Sequence, residues 1–195
     1  MIALDGDIVR WLNHASQHQP LRALAILAAK YLAAVPPLLL VGVFVWAFSQ
    51  RDTRGMARAG LAGLGAALAL GANQVLGQLV TRARPYSVLA TVHAIGSRNG
   101  DSSFYSDHTT IAVGTAIGVF LVARRLGIGA LVVAVTVGLG RIAVGAHYPT
   151  DVLTGAVAAA IGVAVLLLLV GPVQPLLDHL FPAREPRVSR SRAGS

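Results

Sequence analysis

Long apolar stretches alternate with short polar segments along most of this chain. Four of the stretches cover about residues 58–80, 107–123, 127–144 and 151–170. Each is close to the ~20 residues that an α-helix needs to cross the hydrocarbon core of a bilayer. The pattern therefore predicts four membrane-spanning helices in this part of the chain.

The N-terminal part of the chain has a different pattern. Residues 4–18 mix apolar and charged positions, which is typical of a short helix lying at the membrane interface. The chain is then mostly apolar from 21 to 48, with two adjacent prolines inside that stretch. The stretch is longer than one crossing requires and short for two. We therefore expect interfacial or re-entrant helices over 1–32 and a fifth spanning helix over 33–49, with two full crossings as the alternative.

These elements predict an all-α membrane protein, a helical bundle of about five transmembrane helices plus an N-terminal interfacial helix. The composition agrees, because 55% of the residues are hydrophobic and 12% are charged, against roughly 25% charged residues in soluble domains. A chain of 195 residues indicates one domain. We expect this domain over 1–182, with the transmembrane core at 33–170 and a basic, disordered cytoplasmic tail at 183–195.

The positive charges predict the orientation of the bundle, and the formal net charge is +8. Three groups of arginines each flank an apolar stretch: Arg51, Arg54 and Arg58; Arg124 and Arg125; and Arg184, Arg187, Arg190 and Arg192. An odd number of crossings places all three groups on one side, as the positive-inside rule expects of the cytoplasm. The polar segments 81–106 and 141–151 then share the opposite face. Because this charge distribution is typical of loops near lipid headgroups, we expect no nucleic-acid partner.

Composition also excludes several kinds of site. The chain has no cysteine, which excludes disulfides, thiolate metal sites and cysteine nucleophiles. The N-terminus carries Asp5 and Asp7 and lacks a basic region. We therefore expect no cleavable signal peptide.

His147 and Asp151 begin the last of the spanning stretches, with Pro149 between them. Proline is tolerated in the first turn of a helix, so a helix is expected to begin there. At a spacing of four residues, Asp151 can accept the Nδ1 proton of His147, which leaves Nε2 free as a nucleophile and stabilises the imidazolium. A helix cap beside an interfacial histidine would account for the same residues, and this alternative stays open.

Ser106, Asp107 and His108 begin the stretch at 107–123 in the same way. Ser106 is a favourable N-cap residue, and the free N–H groups of a first helical turn can bind an anion. His108 on that turn is placed to protonate a leaving oxygen. An ordinary Ser-Asp cap with a solvated histidine is the alternative.

Arginines supply the positive charge that a phosphate group needs. Arg84 and Arg141 lie in the two polar segments that share a face, and the guanidinium fork suits phosphate oxygens. Arg82 is either a third contact or a solvated neighbour. Arginines at membrane boundaries commonly reach to headgroups, but here three separate polar segments converge on one face.

Taken in order, these segments resemble the type 2 phosphatidic acid phosphatase (PAP2) superfamily. The pattern of that family is Lys-x6-Arg-Pro, then Pro-Ser-Gly-His, then Ser-Arg-x5-His-x3-Asp. The corresponding residues here are Arg84-Pro85; Tyr105-Ser106-Asp107-His108; and Gly140-Arg141, His147 and Asp151. The resemblance covers about residues 75–155 and implies a PAP2-like helical bundle. Three blocks in order are far more specific than any one of them.

Within the superfamily, the second and third blocks are similar to those of bacterial undecaprenyl-diphosphate phosphatases of the bacitracin-resistance type. The resemblance implies a phosphohistidine on His147, His108 as proton donor and then water activator, and neither metal nor cofactor. The substrate would be a lipid phosphate or diphosphate in a bacterial plasma membrane, with the active site on the extracytoplasmic face. The candidate substrate-binding residues are Arg84, Arg141, Ser106, Asp107, Arg82 and Gln78.

One departure from the family pattern affects the charge of the site. The lysine of the first block falls on Gly77 here, and Gln78 or Arg82 is the candidate to replace it. Gln78 would give only neutral hydrogen bonds. Loss of one charged contact to a transition state costs on the order of 3 kcal/mol, or ~100-fold in rate. We therefore expect slow turnover or a shifted substrate preference.

Two alternatives to an undecaprenyl-diphosphate phosphatase stay open. The first keeps the chemistry and changes the substrate, for example to phosphatidylglycerophosphate or decaprenylphosphoryl-ribose phosphate. The second is a non-catalytic lipid-binding or transport protein of the membrane. A halide-oxidising relative that uses vanadate is disfavoured, because such relatives are soluble. The sequence assigns no role to Lys30, His93 or the basic tail, and no oligomeric state.

Overall fold

The computed structural model describes residues 3–96, 98 and 100–182. Within those residues all regular structure is helical, which confirms the predicted all-α fold class. The basic tail at 183–195 lies outside the described residues, so the expectation for it stays a prediction.

The helices, in chain order, are α1 (Ala3–Ala15), α2 (Leu21–Ile26), α3 (Val35–Gln50), α4 (Thr53–Leu79), α5 (Pro85–Val88), α6 (Asp107–Val122), α7 (Arg124–Ala143), α8 (Pro149–Leu167) and α9 (Val170–Leu180). A π-helical turn (Leu27–Tyr31) and a 3-10 turn (Leu32–Ala34) join α2 to α3 without a break. The five predicted spanning helices correspond to α3, α4, α6, α7 and α8, and most of their ends agree within a few residues.

Several helices can cross a membrane by their length and apolar composition. Four helical stretches meet both criteria: Leu21–Gln50, Thr53–Leu79, Arg124–Ala143 and Pro149–Leu167. The fifth, α6, is apolar but has 16 residues, slightly below the usual length of a crossing. The predicted total of five crossings stays a prediction.

The centre of the bundle is α6, which contacts α3, α4, α7 and α8. Its buried face consists of small residues, and a Cβ atom added to Gly114 would lie 2.5 Å from the Cβ of Ala66. Lipid provides no hydrophobic drive between helices, so close approach over small side chains is what holds such a bundle together. The outward faces of the surrounding helices carry exposed apolar side chains, including those of Val41, Val132 and Ile161.

The N-terminal helices differ from the expectation in one respect. The chain is continuously helical from 21 to 50, where the pattern predicts a shallow helix followed by a separate spanning helix. Pro36 and Pro37 cause no break, because they lie in the first turn of α3, where a missing N–H costs no intrahelical hydrogen bond. The π and 3-10 turns just before them take up the change of helix geometry.

Helix α9 is not predicted by the sequence pattern, because Pro172 and Pro175 lie within it. Tertiary contacts hold it in place. The hydroxyl of Thr53 donates to Asp178 Oδ1 at 2.5 Å, and the rings of Phe48 and Phe181 are 5.4 Å apart in an edge-to-face arrangement. These contacts fasten α9 to the turn between α3 and α4.

The close crossing of α4 and α8 generates a stability prediction for Gly65. A Cβ atom added there would lie 2.6 Å from the carbonyl oxygen of Gly162 and 2.7 Å from the Cα of Val163. Backbone atoms cannot give way without separating the helices, so we expect Gly65→Ala to lower the free energy of unfolding by about 1–3 kcal/mol.

The matched control is Gly71→Ala in the same helix, where an added Cβ meets nothing within 4 Å. We expect this substitution to be neutral or to stabilise by up to about 1 kcal/mol. Both variants can be compared with the wild type by thermal and chemical unfolding in detergent micelles. Equal effects of the two substitutions would contradict the close helix crossing.

Candidate active site

Polar segments from three parts of the chain meet at one end of the bundle. A cavity of about 210 Å³ is lined by the connection from α4 to α6, the first turn of α6, the end of α7 with the connection to α8, and the last turns of α4. Six predicted site residues line it: Gln78, Arg84, Asp107, His108, Arg141 and His147. The structure therefore brings both histidines and both candidate phosphate-binding arginines to one cavity. Arg82, Ser106 and Asp151 are not among the lining residues.

His147 lies between α7 and α8 and is buried, with 3% of its surface exposed. Its Nδ1 atom is 2.8 Å from the carbonyl oxygen of Ser103. A carbonyl oxygen can only accept, so Nδ1 carries the proton and Nε2 carries the lone pair. Arg84 Nη1 and Arg141 Nη2 lie 3.3 Å and 3.2 Å from Nε2 and donate to it. The geometry thus presents Nε2 between two guanidinium groups.

Burial lowers the pKa of His147 well below its ordinary value of 6.5, and the positive charges of Arg141 and Arg84 lower it further. The imidazole is therefore neutral at pH 7. A neutral imidazole with its proton fixed on Nδ1 has a nucleophilic Nε2 atom. This is the protonation state that attack on a phosphorus atom requires.

The predicted hydrogen bond between Asp151 and His147 is wrong. Asp151 instead accepts from the backbone N–H of Tyr148 at 2.9 Å and from Arg82 Nη1 at 2.5 Å. The prediction assumed the four-residue spacing of a helix. His147, however, precedes the N-cap residue Tyr148, whose backbone is extended. Asp151 therefore caps α8, and the carbonyl of Ser103 takes the role that was predicted for it.

Arg82 is neither a phosphate contact nor a solvated neighbour, which were the two expectations for it. Its guanidinium group forms ion pairs with Asp5 at 2.6 Å and with Asp151 at 2.5 Å. It also lies 4.0 Å from the centre of the Tyr148 ring. Two carboxylates neutralise Arg82, and its position between them connects α1 to the start of α8.

Asp5 is a site residue that the sequence pattern does not reveal. It is buried, and it accepts hydrogen bonds from the N–H of Thr150 at 3.1 Å and from its hydroxyl at 2.6 Å. Burial alone would raise the pKa of Asp5, but the hydrogen bonds from Thr150 and Arg82 outweigh it and hold the pKa below its usual value. Asp5 is therefore ionised at pH 7 and fastens α1 beside the active site.

Arg84 is held by its surroundings on several sides. Its Nη1 donates to the carbonyl oxygen of Ala146 at 3.0 Å, and its Nη2 donates to Asp101 at 2.9 Å and to the carbonyl oxygen of Ser102 at 3.3 Å. Asp101 lines the cavity and is exposed. The sequence feature that could have identified Asp101 as a site residue is that it is the single acidic residue between 81 and 106.

Two arginine donors remain unpaired beside this cavity. The Nε atoms of Arg84 and Arg141 are buried and have no hydrogen-bond partner within the described part of the chain. Buried N–H groups are nearly always satisfied in folded proteins. Both arginines border the cavity, so an anion with several oxygens is the ligand that best fits this donor set.

The first turn of α6 places its residues differently from the expectation in one case. Ser106 is the N-cap residue, as predicted, but it is fully buried between α6 and α8. Its N–H donates to the carbonyl oxygen of Asp151 at 3.2 Å, and its hydroxyl accepts from Thr109 at 3.0 Å. Ser106 is not among the residues that line the cavity, and its role as a phosphate ligand stays a prediction. His108, one turn position further, does face the cavity.

Asp107 lies on the cavity wall and is bound by amide side chains of α4. Asn73 Nδ2 donates to one of its oxygens, and Gln74 Nε2 donates to the other at 3.2 Å. Asn73 also bonds the N–H and the carbonyl of Tyr105, at 2.9 Å and 2.7 Å. The two amides therefore hold the start of α6 against the end of α4. Their sequence signal is a pair of polar residues inside an apolar stretch.

The position of the family lysine, Gly77, also lines the cavity. A Cβ atom there would meet only the carbonyl oxygen of Phe104, at 3.5 Å. Gln78 is exposed and lines the same wall, so α4 contributes amides and no cation to the cavity. Within the described residues, no group of three or more His, Cys, Asp or Glu side chains is placed to hold a metal ion.

The family model described as PAP2 superfamily matches residues 58–174 of this chain. The chain is 30% identical over 164 residues to undecaprenyl-diphosphatase BcrC of Bacillus subtilis, covering 81% of this chain and 80% of that protein. It is 34% identical over 146 residues to the protein named putative undecaprenyl-diphosphatase YbjG of Escherichia coli, covering 72% of this chain and 69% of that protein.

A solved structure has a similar fold. The crystal structure of LpxE from Aquifex aeolicus superimposes with a TM-score of 0.67 and 22% sequence identity, covering 86% of this chain and 96% of that one. At this level of identity the similarity concerns the fold alone. Together with the relatives above, it identifies a multi-pass membrane protein with the fold that the three sequence blocks predict.

The lowered pKa of His147 predicts how stability depends on pH. The folded protein binds fewer protons at this site than the unfolded chain, whose histidine has its ordinary pKa of 6.5. The free energy of unfolding should therefore fall as the pH drops below about 6.5, by up to about 1.4 kcal/mol per pH unit from this group.

His147→Gln removes this titration and leaves the other histidines in place. We expect its stability to decline less steeply than that of the wild type between pH 7 and pH 5, measured by unfolding in detergent micelles. Parallel pH profiles of the two proteins would show that His147 is not held neutral.

Proposed function

The chain belongs to the PAP2 superfamily and is a membrane lipid phosphatase, and we propose that its reaction is the hydrolysis of undecaprenyl diphosphate to the monophosphate. Two relatives that match most of this chain are named as undecaprenyl-diphosphatases, one of them putatively. The observation that carries the chemistry is the position of His147 Nε2, between Arg84 and Arg141 in a cavity that also contains His108.

Substrate binding would free the nucleophile. In this structure the N–H groups of Arg84 and Arg141 donate to the Nε2 lone pair of His147. Phosphoryl oxygens are stronger acceptors for guanidinium groups than a neutral imidazole, and they accept in a bidentate manner. A bound phosphoryl group would therefore take over these donors and release the lone pair toward phosphorus.

The first chemical step would be an in-line displacement. Nε2 of His147 forms a bond to the terminal phosphorus, and the bond from that phosphorus to the bridging oxygen breaks with both electrons on the oxygen. His108 lines the same cavity. It would take up a proton when the anionic diphosphate binds beside it, because a nearby negative charge favours the imidazolium, and it then gives this proton to that oxygen. Arg84 and Arg141 stabilise the charge on the transferring group. The hydrogen bond from Nδ1 to the Ser103 carbonyl stabilises the cationic phosphohistidine that results.

The second step would return the enzyme to its starting state. His108, now neutral, accepts a proton from water, and the water oxygen attacks the phosphorus of the phosphohistidine. The bond from phosphorus to Nε2 breaks, and the electron pair returns to His147. Inorganic phosphate is released, and each residue has the protonation state with which it began.

The placement of the arginines supports an active site on the extracytoplasmic face of the plasma membrane. Arg51 lies in the turn between α3 and α4, Arg54 lies in the first turn of α4, and Arg124 lies at the start of α7. Arg58 Nη1 donates to the carbonyl oxygen of Leu121 at 3.4 Å, so these two groups share one end of the bundle. The cavity lies at the other end of the same helices, and the positive-inside rule assigns the arginine end to the cytoplasm.

Removal of the nucleophile should abolish the reaction. We expect His147→Ala to lower the release of phosphate from undecaprenyl diphosphate by at least about 1,000-fold, because it removes the lone pair that lies between Arg84 and Arg141. The assay uses the full chain in detergent micelles with a metal chelator present. His18→Ala, which changes an exposed histidine outside the cavity, is the matched control and should keep the wild-type rate. Unchanged turnover in His147→Ala would refute the assignment of the nucleophile.

A panel of lipids tests the substrate. We expect kcat/KM for undecaprenyl diphosphate to exceed that for phosphatidylglycerophosphate and for decaprenylphosphoryl-ribose phosphate by about 10-fold or more. A higher value for either of the other lipids would replace the proposed substrate and keep the chemistry. A chain that releases no phosphate from any of the three, and binds them unchanged, would be the non-catalytic lipid-binding protein.

A further inference from the structure

A second cavity lies beside the first, with a volume of about 220 Å³. Three side chains line both cavities: those of Arg84, His108 and Arg141. The remaining walls come from the end of α2 with its π turn, from α5 and the connection that follows it, and from the connection between α7 and α8. Two cavities of similar size therefore share a wall made of the groups that bind and protonate phosphate oxygens.

Lys30 lies on the wall of this second cavity, on the π turn that follows α2. It is the single lysine of the sequence. Its side chain is exposed, and its Nζ atom is 5.4 Å from the centre of the Tyr31 ring. Among the residues that the structure describes, no carboxylate lies within 4 Å of this ammonium group. Lys30 therefore adds an uncompensated positive charge beside the three shared residues.

The other candidates to replace the family lysine lack such a charge. Gln78 is neutral, and Arg82 is neutralised by Asp5 and Asp151. Lys30 borders the second cavity and not the first, whereas Gly77 borders the first and not the second. A cation at this position would act on a different part of the substrate.

We propose that the second cavity binds the phosphate of the leaving group, the one that stays on the lipid when a diphosphate is cleaved, and that Lys30 recognises it. This inference rests on the proposed function. An in-line displacement ejects the bridging oxygen on the side opposite to His147 Nε2. His108 protonates that oxygen and lines both cavities, so the bridging oxygen lies at their common wall. The second phosphate then falls in the cavity that contains Lys30.

Lys30 would stabilise the charge that develops on the leaving phosphate as the bridging bond breaks. Such a contact strengthens in the transition state and accelerates the chemical step. A lipid monophosphate has no second phosphoryl group to place there. Lys30 is therefore a specificity-determining residue that favours diphosphates over monophosphates.

The test compares two substrates that share one chain, farnesyl diphosphate and farnesyl monophosphate, on the full protein in detergent micelles. We expect Lys30→Met to lower kcat/KM for the diphosphate by about 10- to 100-fold, the loss typical of a charge-assisted hydrogen bond. For the monophosphate we expect a change below about 3-fold. Lys30→Arg keeps the charge and should retain most of the diphosphate activity.

Arg22→Met is the matched control, because Arg22 lies in α2 and lines neither cavity. It removes one charge from the same surface and should leave both substrates unaffected. An equal loss on both substrates in Lys30→Met, or no loss on either, would overturn the inference while the phosphatase assignment stands. A wild-type chain that hydrolyses only the monophosphate would also overturn it. A wild-type chain that hydrolyses neither farnesyl substrate and releases no phosphate from undecaprenyl diphosphate would remove the proposed function as well.

A second measurement does not depend on turnover. Reductive methylation of the full chain modifies Lys30 and the N-terminal amine, and mass spectrometry separates the two. Methylene diphosphonate, which cannot be hydrolysed, should slow the methylation of Lys30 and leave the N-terminal amine unchanged, whereas inorganic phosphate at the same concentration should protect less. Equal protection by both anions would contradict a site for the second phosphate.

Discussion

The chemistry proposed for this site depends on one hydrogen bond, from Nδ1 of His147 to the carbonyl oxygen of Ser103. It fixes the tautomer, so the lone pair is on Nε2 and faces Arg84 and Arg141. Without this acceptor, a buried imidazole beside two cations could expose its N–H to the cavity and would then lack a nucleophilic atom there. The acceptor comes from the connection between α4 and α6, whereas His147 lies in the connection between α7 and α8. The tautomer of His147 is therefore determined by a residue of a different loop.

The placement of that loop depends on a balance of charges behind the cavity. Arg82 lies between two buried carboxylates, and each carboxylate also accepts from a backbone N–H of the α8 start. A buried charge without a partner would cost several kcal/mol, so the members of this network stabilise one another only as a set. Arginines that the sequence pattern does not distinguish therefore have different roles. Arg84 and Arg141 face the cavity, and Arg82 supports the helix ends around it.

The spanning helices and the central residues of the site could be predicted because both follow from simple constraints. Bilayer thickness determines the length of an apolar stretch, and few ionisable residues lie at the ends of such stretches. The acceptor of His147 could not be predicted, since every residue has a carbonyl and Ser103 is 44 positions away. The two carboxylates that pair with Arg82, those of Asp5 and Asp151, are 77 and 69 positions away. The predicted hydrogen bond between Asp151 and His147 is wrong because it assumed helical spacing, whereas His147 lies outside the helix.

The attachment of α1 has a practical consequence for work with this protein. Asp5 is close to the beginning of the sequence, yet its carboxylate neutralises Arg82 and bonds Thr150 at the edge of the active site. Deleting the first few residues, or fusing a bulky affinity tag directly ahead of them, would disturb a buried ion pair rather than a passive surface anchor. Tags for purification and reporters for topology mapping are therefore better joined at the C-terminal end.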